Sequence, residues 1–151
     1  PVLRFADAQE FAPTGILETS NGPLTVWYQF NLEPQSEVVI RGALSEGVRH
    51  VRPDIVLFEG KVKKASDIRS DLSNVRLVID PKINITEQDI DQLRSYGQAF
   101  PEADLIAGCL DTKHSDHKIM NKLRRKGWAV VPLRPDRNGS FMTRIRENVV
   151  Q

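Results

Sequence analysis

The stretch Leu77-Val78-Ile79-Asp80-Pro81-Lys82 (LVIDPK) decides how this chain is read, because an apolar strand ends there in an acid and a lysine two residues apart. A run of Val, Ile and Leu has the composition of a buried strand, and charged side chains are rarely buried unless something pairs with them. On extended backbone residues i and i+2 point the same way, so Asp80 and Lys82 should project together on either side of Pro81. Proline donates no ladder hydrogen bond, and its position predicts a strand end where regular pairing is abandoned.

The preceding predicted strand, RPDIVLFEG (Arg52 to Gly60), carries its own acid at Pro53-Asp54. If the charged segment KKASDIRSDLSN that follows is a hairpin connection, the two strands are antiparallel neighbours and Asp54 faces Asp80 across the ladder. Two adjacent carboxylates repel, and each raises the pKa of the other unless a cation sits between them. A pair of acids from the protein suits magnesium, which keeps several waters and completes its shell with phosphate oxygens. A lysine beside such a metal orients an attacking water and offsets charge in the transition state.

Working outward, LTVWYQFNL (Leu24 to Leu32) and SEVVIRGAL (Ser36 to Leu44) are β-branched and aromatic runs separated by EPQ, which predicts a hairpin. Residues 1 to 23, punctuated by Pro13, Gly15, Gly22 and Pro23, read as a short helix (ADAQEF) followed by a loop. After VRLVIDPKI (Val75 to Ile83), Thr86 with Asp89 three residues on predicts a capped helix, whose apolar face is Ile90, Leu93, Gly97 and Phe100. ADLIAGCLDT is then a strand, SDHKIMNKLRRKG a helix capped by Ser115 and stopped by Gly127, and WAVVPLRP a last strand. Four strands, then strand and helix in alternation, predict an α/β domain with a sheet of mixed polarity.

The 151 residues are 40% hydrophobic and 27% charged, an ordinary balance for one globular domain spanning residues 1 to 151, with 1 to 23 as a loosely ordered lead-in. No apolar run approaches the roughly 18 residues of a membrane helix, and no signal-peptide pattern opens the chain, so a soluble, cytoplasmic protein without membrane contact is expected. The numbering starts at Pro1, which fits processing, tag removal or excision from a longer chain equally well. One cysteine, Cys109, excludes an internal disulfide framework and reads as a small buried hydrophobe. Charge is uneven: residues 1 to 50 carry three basic and six acidic side chains, whereas residues 113 to 146 carry ten basic and two acidic. A polyanion would therefore meet the second half.

Pro53-Asp54, then twenty-five residues, then Asp80-Pro81-Lys82 at the end of an apolar strand resembles the Pro-Asp…Asp/Glu-Xaa-Lys, or PD-(D/E)XK, nuclease superfamily with its restriction-endonuclease-like fold. QLRSY (Gln92 to Tyr96) is similar to the Gln-Xaa-Xaa-Xaa-Tyr motif that several branches place after the lysine strand, and its spacing puts Gln92 and Tyr96 on one helical face. The motif pattern looks most like the nuclease subunit of McrBC-type restriction systems and related defence nucleases, over roughly residues 50 to 100. The resemblance implies a restriction-endonuclease-like mixed β-sheet flanked by helices, and Mg2+ or Mn2+ held by Asp54, Asp80 and the Pro81 carbonyl. It further implies Lys82 as the catalytic lysine and Gln92 and Tyr96 as accessory residues. Many members add an acid from a helix before the first strand; here Glu10, Glu18, Glu46 or a residue upstream of Pro1 would supply it.

Other features read more plainly. Glu59-Gly60-Lys61 is a competing triplet, but Glu59 and Asp54 lie five apart on one strand and point to opposite faces. DTKHSDH (Asp111 to His117) spans a strand end and a helix cap without metal-ligand spacing, and reads as a structural loop, as does isolated His50. Trp27, Tyr28 and Trp128 read as core or sheet-face aromatics. Lys118, Lys122, Arg124 and Arg125 on the second helix, with Lys126, are the candidates for phosphate-backbone contact. The expected activity is phosphodiester hydrolysis on DNA, with a homodimer, a partner subunit or a motor or recognition module as expected partners. The rivals are a binding or assembly module with an incomplete site and an RNA-processing nuclease.

Overall fold

The computed structural model describes residues 13–30, 52–63, 67–68, 72–133, 143 and 145–147. Six strands form one sheet in the order of the chain: β1 (Gly15–Thr19), β2 (Gly22–Tyr28), β3 (Ile55–Glu59), β4 (Val75–Lys82), β5 (Asp104–Cys109) and β6 (Trp128–Pro132). Pairing is antiparallel from β1 to β4 and parallel from β4 to β6. The parallel connections run through α1 (Glu87–Ala99) and α2 (His117–Arg125). The mixed α/β architecture thus follows the predicted alternation, with the charged connection between β3 and β4 joining antiparallel neighbours.

Two expectations are corrected. The segment read as a loop contains β1, which pairs with β2 across the turn at Thr19 to Gly22, so the hairpin partner of LTVWY among the described residues precedes it. The strand predicted at Ser36 to Leu44 and the helix predicted at ADAQEF lie outside the described residues, as does His50. Ser115 does not cap α2; Asp116 does, accepting from the backbone N–H groups of Lys118 and Ile119. The aspartate carboxylate one residue later reaches the first turn, while the Ser115 hydroxyl is committed to the Asp111 carbonyl at 2.7 Å. Gly127 follows the helix at φ +91°, the left-handed conformation a glycine takes up without steric cost.

Alternation along β4 sorts its side chains into two cores. Leu77 and Ile79 join Leu24, Leu57, Ile106 and Val131 on one face, where Ile145, from the helical residues 145–147, packs against them. Val78 belongs to the other face, with Val56, Phe58 and both helices, through Ile90 and Leu93 of α1 and Ile119 and Leu123 of α2. Two successive crossovers of the same hand, stepping in the same direction, place both helices on that face. Gly97 lets α1 approach closely: a Cβ there would stand 3.4 Å from Leu105 Cδ1. Cys109, Trp27 and Trp128 are buried in this core, as expected, whereas Tyr28 is exposed on the sheet. No helix among the described residues is long and apolar enough to cross a membrane.

Candidate active site

By the alternation of β4, Asp80 and Lys82 share the face of Val78, the face covered by α1. Asp80 is 1% exposed. The register Ile55↔Ile79, continued by one residue, sets Asp54 opposite Asp80. Asp54 is held there by its carbonyl, which accepts the Gln29 backbone N–H at 2.6 Å. Gln29 itself has φ +50°, a conformation uncommon for a residue with a side chain, so the end of β2 is bent to reach the acid.

The strand does not end at Pro81. Pairing with β3 stops at Ile79, but β4 continues beside β5 through Pro81↔Gly108 and Lys82↔Cys109. Pro81 sits where one neighbour has been given up and the other kept; its side chain is exposed. That one-sided pairing is what carries Lys82 beyond the β3 edge while keeping its backbone fixed.

The Lys82 ammonium is gripped on three sides. Nζ lies 2.8 Å from Asp80 Oδ2 and 3.8 Å from Asp89 Oδ1, and donates to Gln92 Oε1 at 2.7 Å. Gln92 Nε2 in turn donates to the Tyr96 hydroxyl at 2.8 Å, and Tyr96 donates to the Arg52 carbonyl at 2.8 Å. The helical pair predicted from the spacing of four therefore links the lysine to the backbone just before Pro53-Asp54. Burial, reinforced by the Asp80 charge, pushes the Tyr96 phenol far above its ordinary value, so it remains a donor.

Burial also raises the Asp80 carboxyl; the Lys82 contact opposes the rise, and the charges of Asp54 and Asp89 add to it. Oδ2 lies 2.8 Å from the Lys82 ammonium, its one near cation among the described residues. A buried carboxylate that shares one lysine with Asp89 and faces a further acid is a setting that an added cation relieves. Asp54, Asp80 and the adjacent strand-end carbonyls are hard oxygen donors of the kind magnesium or manganese takes. Among the described residues no group of three or more His, Cys, Asp and Glu side chains is placed to hold a metal ion.

Glu18 does not join the pair. It lies opposite Pro23, whose carbonyl receives the Gly60 N–H, and pairs with Lys61 at 3.8 Å. That is the far end of β3, roughly 20 Å from Asp54 for six strand residues. Glu59 is at that same end, on β3 itself, which removes the competing triplet. Glu10 and Glu46 lie outside the described residues.

Two contributors escaped the sequence reading. Asp89 was read only as a cap, and its Oδ2 does accept the Thr86 N–H at 2.8 Å, but Oδ1 faces Lys82. Arg52 supplies the carbonyl for Tyr96, and its guanidinium donates to the Gln29 side chain. The available signal was positional: the first turn of a helix following a parallel strand begins at the edge where that strand ends.

The basic candidates are divided by the fold. Because α2 runs antiparallel to its strands, Lys118 in its first turn lies at the Lys82 edge, whereas Lys122, Arg124 and Arg125 in its last turn lie toward the opposite edge. Arg124 is occupied there by the Asn121 side chain at 3.0 Å and the Val130 carbonyl at 3.4 Å. All four are exposed.

The chain matches no family model, no curated protein and no solved structure.

Proposed function

We propose that this protein is a metal-dependent nuclease of the PD-(D/E)XK type with a restriction-endonuclease-like fold, hydrolysing phosphodiester bonds in DNA. The observation that carries the reading is the cross-strand placement of Asp54 opposite Asp80, with Lys82 on the same face and tied through Gln92 to Tyr96. Three motifs weak in isolation meet at one sheet edge.

A divalent cation held by Asp54 and Asp80, with the Pro81 carbonyl as a further oxygen donor, would supply Lewis-acid polarisation of the phosphate and a more acidic attacking water. The protein's own side chains do the positioning. The two carboxylates fix the site to adjacent strands of a rigid sheet. Lys82, steadied by Gln92 and Asp89, presents a positive charge where negative charge develops on the phosphate oxygens. Tyr96, kept protonated, locks the Gln92 amide so that its carbonyl oxygen faces the lysine. DNA is preferred over RNA by the resemblance of the motifs to restriction and defence nucleases, an analogy at the level of the family.

The test is cleavage of supercoiled plasmid and of labelled single-stranded DNA and RNA, with magnesium, with manganese and with EDTA, by wild type, Asp80→Ala and Lys82→Ala. Metal-dependent cutting lost in both variants is the expected result, and the preferred polymer names the substrate. A wild type that binds nucleic acid but is as inert as its variants would make the protein a binding module on the same scaffold.

A further inference from the structure

The acid pair poses a problem for any polyanionic substrate: phosphates are repelled by the carboxylates that must approach them, so positive charge is needed on the same edge. The helix residues singled out from the sequence supply it poorly, since three of the four lie in the last turn of α2, toward the other edge. The loop between β5 and α2, with the first turn of that helix, brings two lysines and two histidines to the Lys82 edge, beside two aspartates that are held by hydrogen bonds. Leu110 N–H donates to the Lys82 carbonyl at 2.9 Å, and Asp111 N–H to the Ile83 carbonyl at 2.6 Å. Asp116 N–H donates to the Ile85 carbonyl at 2.9 Å, and Ile85 N–H to the Ser115 hydroxyl at 2.9 Å. The loop is thereby stitched, residue by residue, to the segment that follows Lys82.

Its two acids accept hydrogen bonds within the loop and from the first turn of α2, and its basic side chains lie exposed beside them. The Asp111 carboxylate accepts the N–H groups of Lys113 and His114 at 3.0 and 3.2 Å and the His114 ring at 2.5 Å. Asp116 caps α2. Lys113, His114, His117 and Lys118 are all exposed. Asp111 fixes the His114 ring through Nδ1, which leaves Nε2 to face outward.

We infer that the β5–α2 loop and the first turn of α2, through Lys113, His114, His117 and Lys118, are the surface on which a nucleic-acid phosphate backbone rests as it enters the Asp54–Asp80 site. The choice of polyanion rests on the nuclease reading; the surface itself rests on the exposed basic side chains and on the hydrogen bonds that fix the loop beside Lys82. Phosphates contacted here neighbour the scissile one, so the loop sets the register of the strand rather than reading its sequence.

Binding in EDTA separates this from catalysis. The affinity of wild type for labelled duplex DNA, single-stranded DNA and RNA of the same sequence is measured by fluorescence anisotropy over a range of salt. Lys113→Glu with Lys118→Glu is compared with an equal charge reversal at the far edge, Arg125→Glu with Lys126→Glu. Neither lysine side chain is buried, and circular dichroism with a thermal melt confirms folding. The loop pair is expected to weaken binding at least tenfold and to lower the salt slope by about two, with the far pair several-fold weaker in effect. The arm with the largest loss identifies the polymer. Equal losses from both pairs, an effect larger at the far edge, or no binding by wild type overturns the surface. A wild type that shows the expected pattern but never cuts with any metal leaves the surface standing and removes the nuclease reading.

Discussion

The antiparallel half of the sheet, β1 to β4, and the parallel half, β4 to β6, meet at the strand carrying Asp80 and Lys82, and each furnishes the site by a different route. The antiparallel half contributes Asp54 by direct opposition across a ladder, so its part depends on register. A slip of one residue between β3 and β4 would send Asp54 to the other face. The parallel half contributes through crossovers: helices leave and return so that their first turns, with Asp89 in α1 and Lys118 in α2, open at the edge where β4 ends. A register fixes one side chain; a crossover delivers a whole surface. The join between halves is short and polar, running from Lys82 through Gln92 and Tyr96 to the Arg52 carbonyl.

The largest effect should come from the join of the two acids. Asp54→Asn, Asp80→Asn and Lys82→Ala should each lower metal-dependent cleavage by about a hundredfold to a thousandfold, the scale of removing one preorganised electrostatic group. If the acids act as a unit, the double variant should be no worse than the poorer single one, because groups sharing one task are non-additive. Full activity in Asp54→Asn alone would mean that the antiparallel half supplies no ligand.

Packing of the parallel half is tested next. A Cβ at Gly108 would stand 2.8 Å from Leu133 Cγ and 2.5 Å from Cδ1. Gly108→Ala should therefore destabilise by about 1 to 3 kcal/mol as Leu133 is displaced, read as a lower urea midpoint. Gly97→Ala, with 3.4 Å to its nearest neighbour, should be neutral or stabilising. Matching losses at the two glycines would show that the approach of α1 at Gly97 is as tight as that of Leu133 at Gly108.

Tyr96→Phe cuts the hydrogen-bonded link between the halves while sparing the ring in the core. A loss of about 1 kcal/mol is expected from the part-buried hydrogen bond to the Arg52 carbonyl that is removed. The accompanying fall in cleavage should be smaller than for Lys82→Ala. A stable, fully active variant would show that the halves are aligned by the sheet alone.

The smallest effect concerns Asp80 and pH. Burial holds its carboxyl above the ordinary 3.8, so the folded chain keeps a proton that the unfolded chain has lost. Its contribution to stability is accordingly greatest below that value and falls as pH rises through the raised one. Asp80→Asn, measured in EDTA, should flatten the decline that sets in above the ordinary carboxylate value and raise the melting temperature at neutral pH by about 2 °C, as when a functional charge is removed from a core. A variant less stable than wild type at neutral pH would mean that the Lys82 ion pair outweighs burial.

Much of the site was legible because its spacing is local. Asp80 and Lys82 share a face by strand alternation, Gln92 and Tyr96 by helical repeat, and Asp89 announces a cap by standing three residues after Thr86. What escaped reading depended on distant partners. The short GILET segment gave no strand signal beside its glycines and proline, and became β1 only because β2 offered it an edge to pair with. The basic run from Lys118 to Lys126 looked like one patch, whereas nine helical residues are long enough to carry its ends to opposite edges.

The sequence by itself determined the local geometry: which residues are extended, which are helical, and which side chains leave each element in the same direction, since those follow from periods of 2 and 3.6 within a few residues. The tertiary structure alone decided that Asp54 meets Asp80, that Asp89 turns its second oxygen to Lys82, and that the Asp111 loop rather than the end of α2 lies beside them. Those placements depend on strand register and crossover handedness, which sum over contacts far apart in the chain and are written in no single stretch of it.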